Sequence, residues 1–263
     1  MTGQFTGRHV IVTGGGRGER ARGGLPDAAA GAEVLVLGRT DADLEETVSQ
    51  ITGDGGQAWL TRCDVSDEAQ VENAVRAAAE RWDRIDVLIN NAGIDDDTPF
   101  LDIDRARWRA IIDTNLTGAF LMAQAVARRM AQTGGGVILH TASIDASGGD
   151  GPYAAYNASK AGLLGLNRTM ALELAAVGIR SNCVSPGFTH TVMTEHAVGP
   201  KLLDYLNGSF ARVPMKRLVR TDEVAHAFLF LASDQASAIT GIDLRVDAGL
   251  TANWYILETL PDA

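Results

Sequence analysis

Cysteine, positive charge and long apolar runs are all scarce in this sequence, and each scarcity argues against a class of protein. Only two cysteines occur, Cys63 and Cys183, which is too few for a disulfide framework or a cysteine-based metal site. The 263 residues carry 23 Lys and Arg against 33 Asp and Glu, a formal net charge of −10, and an acidic surface repels phosphate backbones. No apolar run approaches the roughly 20 residues needed to cross a bilayer, and residues 1–8 lack the apolar segment of a signal peptide. We therefore expect a cytoplasmic protein with reduced, buried thiols and no metal, and with neither nucleic acid nor membrane as a partner.

Short apolar runs alternate along the chain with longer segments of helical spacing. The predicted strands are His9–Thr13, Glu33–Leu37, Ala58–Cys63, Ile85–Ile89, Val137–Thr141, Ile179–Val184 and Asp243–Val246. Most are continuously apolar, which is typical of strands buried on both faces of a parallel sheet. The predicted helices are Asp41–Ile51, Asp67–Trp82, Asp104–Gln132, Pro152–Val177 and Asp222–Ala232. The alternation predicts an α/β fold: one domain over residues 1–263 with a doubly wound, Rossmann-type, mostly parallel seven-stranded sheet flanked by helices.

Glycines follow the first predicted strand, at the sheet edge where parallel α/β folds bind ligands. Gly14, Gly16 and Gly18 form a turn at which a backbone can approach a pyrophosphate, although glycine also closes ordinary tight turns. Arg39, after the second strand, stands where an Asp or Glu would accept hydrogen bonds from the ribose of NAD(H). Its charge suits the 2′-phosphate of NADP(H) instead, with Arg17 adding a second positive charge. Two solvated surface arginines are the alternative interpretation.

The Asp64-Val65 pair follows the third predicted strand, at the same edge of the sheet. A carboxylate at that place can bind the adenine of a dinucleotide. A turn residue next to a helix is an equally good interpretation.

Tyr156 and Lys160 are four residues apart in a predicted helix, so their side chains share one face. An ammonium beside a phenol lowers the tyrosine pKa from its usual value of about 10, which makes Tyr156 a usable proton donor or acceptor near neutral pH. Ser143 follows the fifth strand, where its hydroxyl can hold a substrate oxygen that gains negative charge; a cap on a turn is the alternative. Asn115 is an unusual residue for a helix interior, and it indicates either a bound water that links to Lys160 or a kink near Gly118.

Jointly, these motifs resemble those of the short-chain dehydrogenase/reductase family, and within it they are similar to those of ketone reductases and 3-oxoacyl reductases. The matching positions are Thr13–Gly18, Asp64-Val65, Asn90–Gly93, Asn115–Gly118, Ser143, Tyr156–Lys160, Pro186-Gly187 and Ile239–Gly249. The resemblance implies an NAD(P)-dependent oxidoreductase acting on a carbonyl or secondary alcohol, with NADP(H) expected over NAD(H).

The resemblance also assigns roles. It implies that Asn115 positions a proton-relay water and that Ser143 orients the substrate oxygen. It further implies that Tyr156 exchanges its proton while Lys160 holds the nicotinamide ribose. The implied dinucleotide contacts are Gly14, Gly16, Arg17, Gly18, Arg39, Asp64, Val65, Asn91, Ala92, Gly93, Tyr156, Lys160, Pro186, Gly187 and Thr189. A homotetramer or homodimer is expected.

The chain departs from the family pattern at residues 19–27. Arg20 replaces the last glycine of the motif, Glu19 replaces an apolar residue, and two glycines and Pro26 follow within the expected helix. In a helix interior they cost about 1 kcal/mol for each glycine and about 3 kcal/mol for the proline. The length of the segment is that of the family, so a compensated frameshift in the gene and a genuine divergence are both open. The departure motivates a competing hypothesis, a catalytically weak dinucleotide-binding or regulatory protein on the same fold.

Two further segments bear on the substrate. Residues 188–215 replace a tight turn by a long, partly apolar excursion, which predicts a lid over a hydrophobic substrate. Asp95, Asp96 and Asp97 follow the fourth strand and predict a solvated acidic rim that disfavours anionic substrates.

Overall fold

The computed structural model describes residues 5–15, 31–190 and 200–253. Its strands are β1 His9–Thr13, β2 Glu33–Gly38, β3 Gln57–Arg62, β4 Val87–Asn90, β5 Gly136–Thr141, β6 Ile179–Pro186 and β7 Asp243–Val246. They form one seven-stranded sheet in the order β3-β2-β1-β4-β5-β6-β7, with every neighbouring pair parallel. This confirms the predicted doubly wound sheet. The strand order reverses at β1, so the carboxyl ends of β1 and β4 border the crevice where such folds bind ligands.

Helices connect the strands and cover both faces of the sheet. They are α1 Asp41–Gly53, α2 Glu68–Arg81, α3 Arg105–Ile112, α4 Gly118–Met130, α5 Ala154–Leu174, α6 Pro200–Gly208 and α7 Thr221–Ala232. The single helix predicted over Asp104–Gln132 is divided by a π-helical turn, Asp113–Thr117, which separates α3 from α4. The helix α6, inside the predicted lid segment, was not predicted.

Apolar side chains of the strands face two cores, one on each side of the sheet. Ile11, Leu88 and Ile138 pack with residues of α2 and α4, whereas Val12 and Leu139 pack with residues of α1 and α7 on the other side. Because successive side chains of a strand point to opposite faces, burial of both faces explains why the central strands such as β1 and β4 are almost continuously apolar in sequence.

The helical run Arg105–Met130 is long and apolar enough to cross a membrane by length and composition alone, with a mean hydropathy of 1.2 in its most apolar window. In the fold, 56% of that window is buried inside the protein. Core helices of soluble proteins meet the same criterion, so the finding is weak support for a membrane span.

The described strands all join one sheet, as a single domain requires. The single-domain organisation of residues 1–263 remains a prediction. The glycine-rich turn beyond Gly15 and the segment of residues 19–27 lie outside the described residues.

Candidate active site

Lys160 and Tyr156 meet at the carboxyl end of β5, as their spacing on α5 predicts. Lys160 is only 2% exposed, and its Nζ donates to the Thr141 carbonyl oxygen at 2.6 Å. The same Nζ lies 5.5 Å from the centroid of the Tyr156 ring. A buried ammonium requires polar partners, and its bond to the end of β5 holds it beside the phenol ring.

Asn115 connects the loop after β4 to α5. It is 1% exposed and lies in the π-helical turn, where its Oδ1 accepts from the backbone N–H of Ile94 and its Nδ2 donates to the Ile94 carbonyl, both at 2.8 Å. Nδ2 also lies 3.1 Å from Ser159 Oγ, whose hydroxyl donates to the Tyr156 carbonyl at 2.7 Å. The side chain therefore ties the loop that follows β4 to the helix that carries Tyr156, and the irregular helical turn near Gly118 is present as well.

Asn115 and Lys160 border one shared space. A Cβ placed on Gly93 would lie 3.4 Å from Asn115 Oδ1 and 3.6 Å from Lys160 Nζ. The absence of a side chain at Gly93 keeps that space clear, next to both polar groups.

Ser143 lies directly after β5 and is 6% exposed. Its side chain caps a short 3₁₀ turn, Ile144–Ala146, by accepting from the backbone N–H of Asp145 at 3.2 Å. Its hydroxyl donates to Asp145 Oδ2 at 3.0 Å. The interpretation of Ser143 as a cap on a turn is therefore confirmed, and its role in holding a substrate oxygen stays a prediction. Sequence reasoning missed Asp145; an Asp two residues after a capping Ser was the available signal.

The ends of β1 and β4 are locked together by Thr13. Its Oγ1 accepts from the backbone N–H groups of Asn91 and Ala92, each at 3.0 Å, and Asn91 Nδ2 donates to the Thr13 carbonyl at 3.3 Å. Gly14 has a φ of +69°, and a Cβ built on it would lie 2.6 Å from the Cα of Ala92. Only glycine fits at this position, because both the left-handed backbone and the contact between backbones exclude a side chain.

Arg39 and Asp64 face each other at the ends of β2 and β3. Arg39 Nη1 lies 3.7 Å from Asp64 Oδ2, with the arginine side chain 55% exposed. Asp64 Oδ1 also accepts from Ser66, at 3.0 Å from its backbone N–H and 2.7 Å from its hydroxyl, as the turn interpretation predicts. Val65 packs against α4, since a Cβ on Gly118 would approach Val65 Cγ2 to 2.7 Å.

The residues after β6 lie at the same sheet edge. Pro186 ends β6, and a Cβ on Gly187 would approach the Cα of Asp247 to 2.8 Å, so this turn lies close to the chain after β7. Thr189 is 7% exposed, and its hydroxyl donates to the Gly187 carbonyl at 2.9 Å. Of the predicted contacts, Gly16, Arg17 and Gly18 lie outside the described residues.

A fully buried histidine lies beneath the site in β5. Burial, with the positive charge of Lys160 as a second cause, lowers the pKa of His140 to about 4. Its Nδ1 lies 3.4 Å from Asn90 Nδ2, and that amide also donates to the Ala119 carbonyl at 3.0 Å. His140 is therefore neutral at physiological pH and adds no charge against Lys160.

The fold and the site together define a class of protein. A parallel sheet with its order reversing at β1, a glycine turn at that point and a Tyr–Lys pair at the carboxyl edge are the features of a dinucleotide-dependent oxidoreductase.

Comparison with known proteins identifies the family. Residues 27–251 match a family model described as enoyl-(acyl carrier protein) reductase. A 3-oxoacyl-[acyl-carrier-protein] reductase of Synechocystis is 36% identical over 248 residues, covering 94% of this chain and 98% of the relative. D-threitol dehydrogenase of Mycolicibacterium smegmatis is 36% identical over 250 residues, 94% of each chain.

Solved structures agree with these relatives. A short-chain type dehydrogenase/reductase from Mycobacterium marinum superimposes with a TM-score of 0.86 at 35% identity, covering 95% of this chain and 98% of the other. A gluconate 5-dehydrogenase from Burkholderia cenocepacia in complex with NADP and tartrate gives a TM-score of 0.87 at 31% identity, covering 95% and 97%.

The chain belongs to the short-chain dehydrogenase/reductase family. It is an NAD(P)-dependent oxidoreductase that exchanges hydride with a carbonyl or alcohol substrate. The relatives are named as reductases and dehydrogenases, so the comparisons do not support the alternative of a catalytically weak binding or regulatory protein.

Proposed function

We propose that the protein uses NADP(H) to interconvert a ketone and a secondary alcohol, with Asn115, Ser143, Tyr156 and Lys160 as its catalytic and positioning groups. One observation carries the proposal: the buried Lys160 ammonium, bonded to the Thr141 carbonyl, lies 5.5 Å from the Tyr156 ring centroid at the carboxyl edge of the sheet. A cation held there favours the phenolate form of Tyr156.

The residues at this edge fit a dinucleotide. Gly93 leaves open the space next to Lys160 Nζ, and Gly14 brings the end of β1 against Ala92 with no side chain at the crevice. The described residues proposed to hold the cofactor are Gly14, Arg39, Asp64, Val65, Asn91, Ala92, Gly93, Tyr156, Lys160, Pro186, Gly187 and Thr189. When bound, the nicotinamide supplies or accepts the hydride.

The chain's own groups manage the proton and the substrate oxygen. In reduction Tyr156 gives its phenol proton to the substrate oxygen, and in oxidation it takes that proton back. Ser143 holds the same oxygen, and Lys160 stabilises the phenolate between turnovers. Asn115 keeps the loop after β4 and α5 in register, and it faces the space in which a relay water would reach Lys160.

The decisive experiment replaces the phenol hydroxyl. Purified protein is assayed by nicotinamide absorbance against a panel of ketones and secondary alcohols. Tyr156→Phe should reduce kcat by at least about a hundredfold, the usual size of a general acid contribution. Tyr153→Phe is the matched control. It removes the same hydroxyl group from a tyrosine whose ring centroid lies 6.4 Å from that of Tyr156. Full turnover by Tyr156→Phe, or an equal loss in the control, would refute the proposal.

The NADP(H) preference rests on Arg39. Its guanidinium is half-exposed at the end of β2, 3.7 Å from Asp64 Oδ2, so a 2′-phosphate can bind its exposed side by charge-assisted hydrogen bonds. Arg39→Gln should lower kcat/KM for NADPH by about tenfold to a hundredfold, the worth of a hydrogen bond to a charged group, with little effect on NADH. Asp64→Asn removes the competing carboxylate and should not weaken the preference. Equal use of both cofactors by the wild-type protein would contradict the assignment.

We also propose that residues 188–215 cover the substrate. In the described part of this segment Leu206, Phe210 and Val213 are buried in one cluster, and Ile144, next to Ser143, packs against it. This contact supports the proposal, because Ile144 follows Ser143, the residue proposed to hold the substrate oxygen. Shortening the side chains of the cluster should raise KM for hydrophobic ketones more than for small polar ones.

The substrate itself is proposed to be uncharged at the reacting end. Burial first, and then the negative charges of Asp95, Asp97, Asp150 and Asp145, raise the pKa of Tyr153, so several carboxylates act on a phenol that lies just before α5. Asp96, the middle residue of the predicted rim, instead accepts hydrogen bonds from the backbone N–H of Thr98 and from the Arg107 guanidinium. Efficient turnover of a carboxylate or an acyl-phosphopantetheine substrate would contradict this assignment.

The expected homotetramer or homodimer is tested by light scattering, which should show no monomer at assay concentration.

A further inference from the structure

The hydroxyl of Ser143 donates its hydrogen bond to a neighbouring carboxylate. Ser143 Oγ donates to Asp145 Oδ2 at 3.0 Å and accepts from the backbone N–H of Asp145 at 3.2 Å. A hydroxyl has one hydrogen and two acceptor lone pairs, so these bonds leave Ser143 with one lone pair and no hydrogen to offer. In this arrangement Ser143 can accept from the O–H of an alcohol, whereas it must first turn its hydrogen away from Asp145 before it can donate to a carbonyl oxygen.

We infer that Asp145 is a positioning residue that sets the hydrogen-bond polarity of Ser143 and thereby favours binding of the alcohol over the carbonyl form of the substrate. The inference rests on the proposed function, because it requires Ser143 to hold the substrate oxygen. An ionised carboxylate only accepts, so it keeps the Ser143 hydrogen turned towards itself. A protonated Asp145 would donate to Ser143 Oγ, and the freed Ser143 O–H could then donate to a carbonyl.

Two charged groups among the described residues face the Asp145 carboxyl. Burial is the largest influence and raises its pKa, and the negative charge of Asp150 acts in the same direction. The hydrogen bond from Ser143 and the ammonium of Lys160 on α5 act against them, and the net shift is upward. As the pH falls, Asp145 therefore becomes protonated at a higher pH than an ordinary aspartate does.

One further titratable group lies close by. Tyr153, at the start of α5, has its pKa raised by burial and by nearby carboxylates that include Asp145. Asp95 and Asp97, after β4, act on the same phenol. The phenol is neutral through the acidic range in which Asp145 titrates, so the state of Asp145 is set by the groups named above.

The bond can be tested without ligand. The carboxyl of Asp145 is titrated by ¹³C NMR in protein labelled at aspartate, with Asp145→Asn identifying its signal. Because the Ser143 hydroxyl stabilises the ionised carboxylate, Ser143→Ala should move the midpoint to higher pH. An unchanged midpoint would show that the two groups are not bonded in solution, and the inference would be wrong.

The consequence for the substrate is tested with two unreactive probes bound to cofactor-loaded protein. Isobutyramide presents a carbonyl acceptor, and 2,2,2-trifluoroethanol presents an alcohol that resists oxidation. In Asp145→Asn the side-chain amide can donate to Ser143 Oγ. Isobutyramide should then bind about fivefold to tenfold more tightly and trifluoroethanol more weakly by a similar factor, the worth of about one hydrogen bond. In Asp145→Ala we expect only the tighter binding of isobutyramide. The alanine offers no donor to Ser143 Oγ, so its second lone pair can still accept from trifluoroethanol.

The matched control is Asp150→Asn, which removes a neighbouring negative charge and leaves both Ser143 and Asp145 in place. In the wild-type protein, isobutyramide should bind more tightly as the pH falls through the Asp145 titration, and Asp145→Asn should abolish this dependence. Equal shifts of both probes, no shift of either, or the same opposite shifts in the control would overturn the inference. An inactive wild-type protein would refute the proposed function instead, which separates the two failures.

Discussion

Acid should destabilise this protein through His140, whose pKa in the folded state is about 4 against an ordinary value of 6.5. The cause is burial first and the charge of Lys160 second. Between these two values the unfolded chain binds a proton that the folded protein excludes, so stability is full above about pH 6.5 and declines as the pH falls. A difference of about 2.5 pKa units at 1.36 kcal/mol per unit corresponds to about 3 kcal/mol lost by pH 4.

The measurement is the free energy of unfolding in urea at fixed protein concentration from pH 8 to pH 4, followed by tryptophan fluorescence and circular dichroism. His140→Leu removes the ionisable group. The free energy of unfolding of this variant should therefore fall by about 3 kcal/mol less than that of the wild type between pH 8 and pH 4. His226→Gln, on the exposed side of α7, is the control and should keep the wild-type slope. If the His140→Leu protein lost stability as steeply as the wild type, the assignment of the acid sensitivity to this residue would be refuted.

Two more predictions concern the glycine at the end of β1 and the two buried thiols. Gly14→Ala, with φ +69° and a Cβ 2.6 Å from the Cα of Ala92, should destabilise the fold by about 2–4 kcal/mol and weaken dinucleotide binding measured by calorimetry. Gly55→Ala has a φ of +85° with nothing within 4 Å of its Cβ, so it should lose only about 1–2 kcal/mol of stability and keep its affinity; equal effects would show that the contact with Ala92 is unimportant. Iodoacetamide should leave both thiols unmodified in the native protein and alkylate both in urea, because burial raises the pKa of Cys63 to about 11 and that of Cys183 further; rapid native labelling would contradict their burial.

The sheet could be predicted from the sequence because most of its strands contain a short apolar run that ends at polar or glycine residues. His9–Thr13, for example, was predicted with the bounds that β1 has in the structure, since burial on both faces leaves no polar alternation to blur its ends. Less regular elements were harder. The π-helical turn Asp113–Thr117 interrupts a helix that the apolar spacing predicted as continuous, because a single extra residue in a turn leaves the periodicity almost unchanged.

The candidate site divides in the same way. The Tyr156–Lys160 pair is determined by the sequence alone, because spacing on one helix places both side chains on one face. The clamp between Asn115 and Ile94 and the bond between Thr13 and Asn91 join residues far apart in the chain, and only the packing of separate strands and helices brings them together. The Ser143–Asp145 contact spans two residues, yet it too depends on the tertiary structure, since the partial burial of Asp145 favours a hydrogen bond to a neighbour over one to water. Local spacing therefore determined which groups are proposed to carry the chemistry, whereas their hydrogen-bond partners and protonation were decided by burial, a property of the assembled fold.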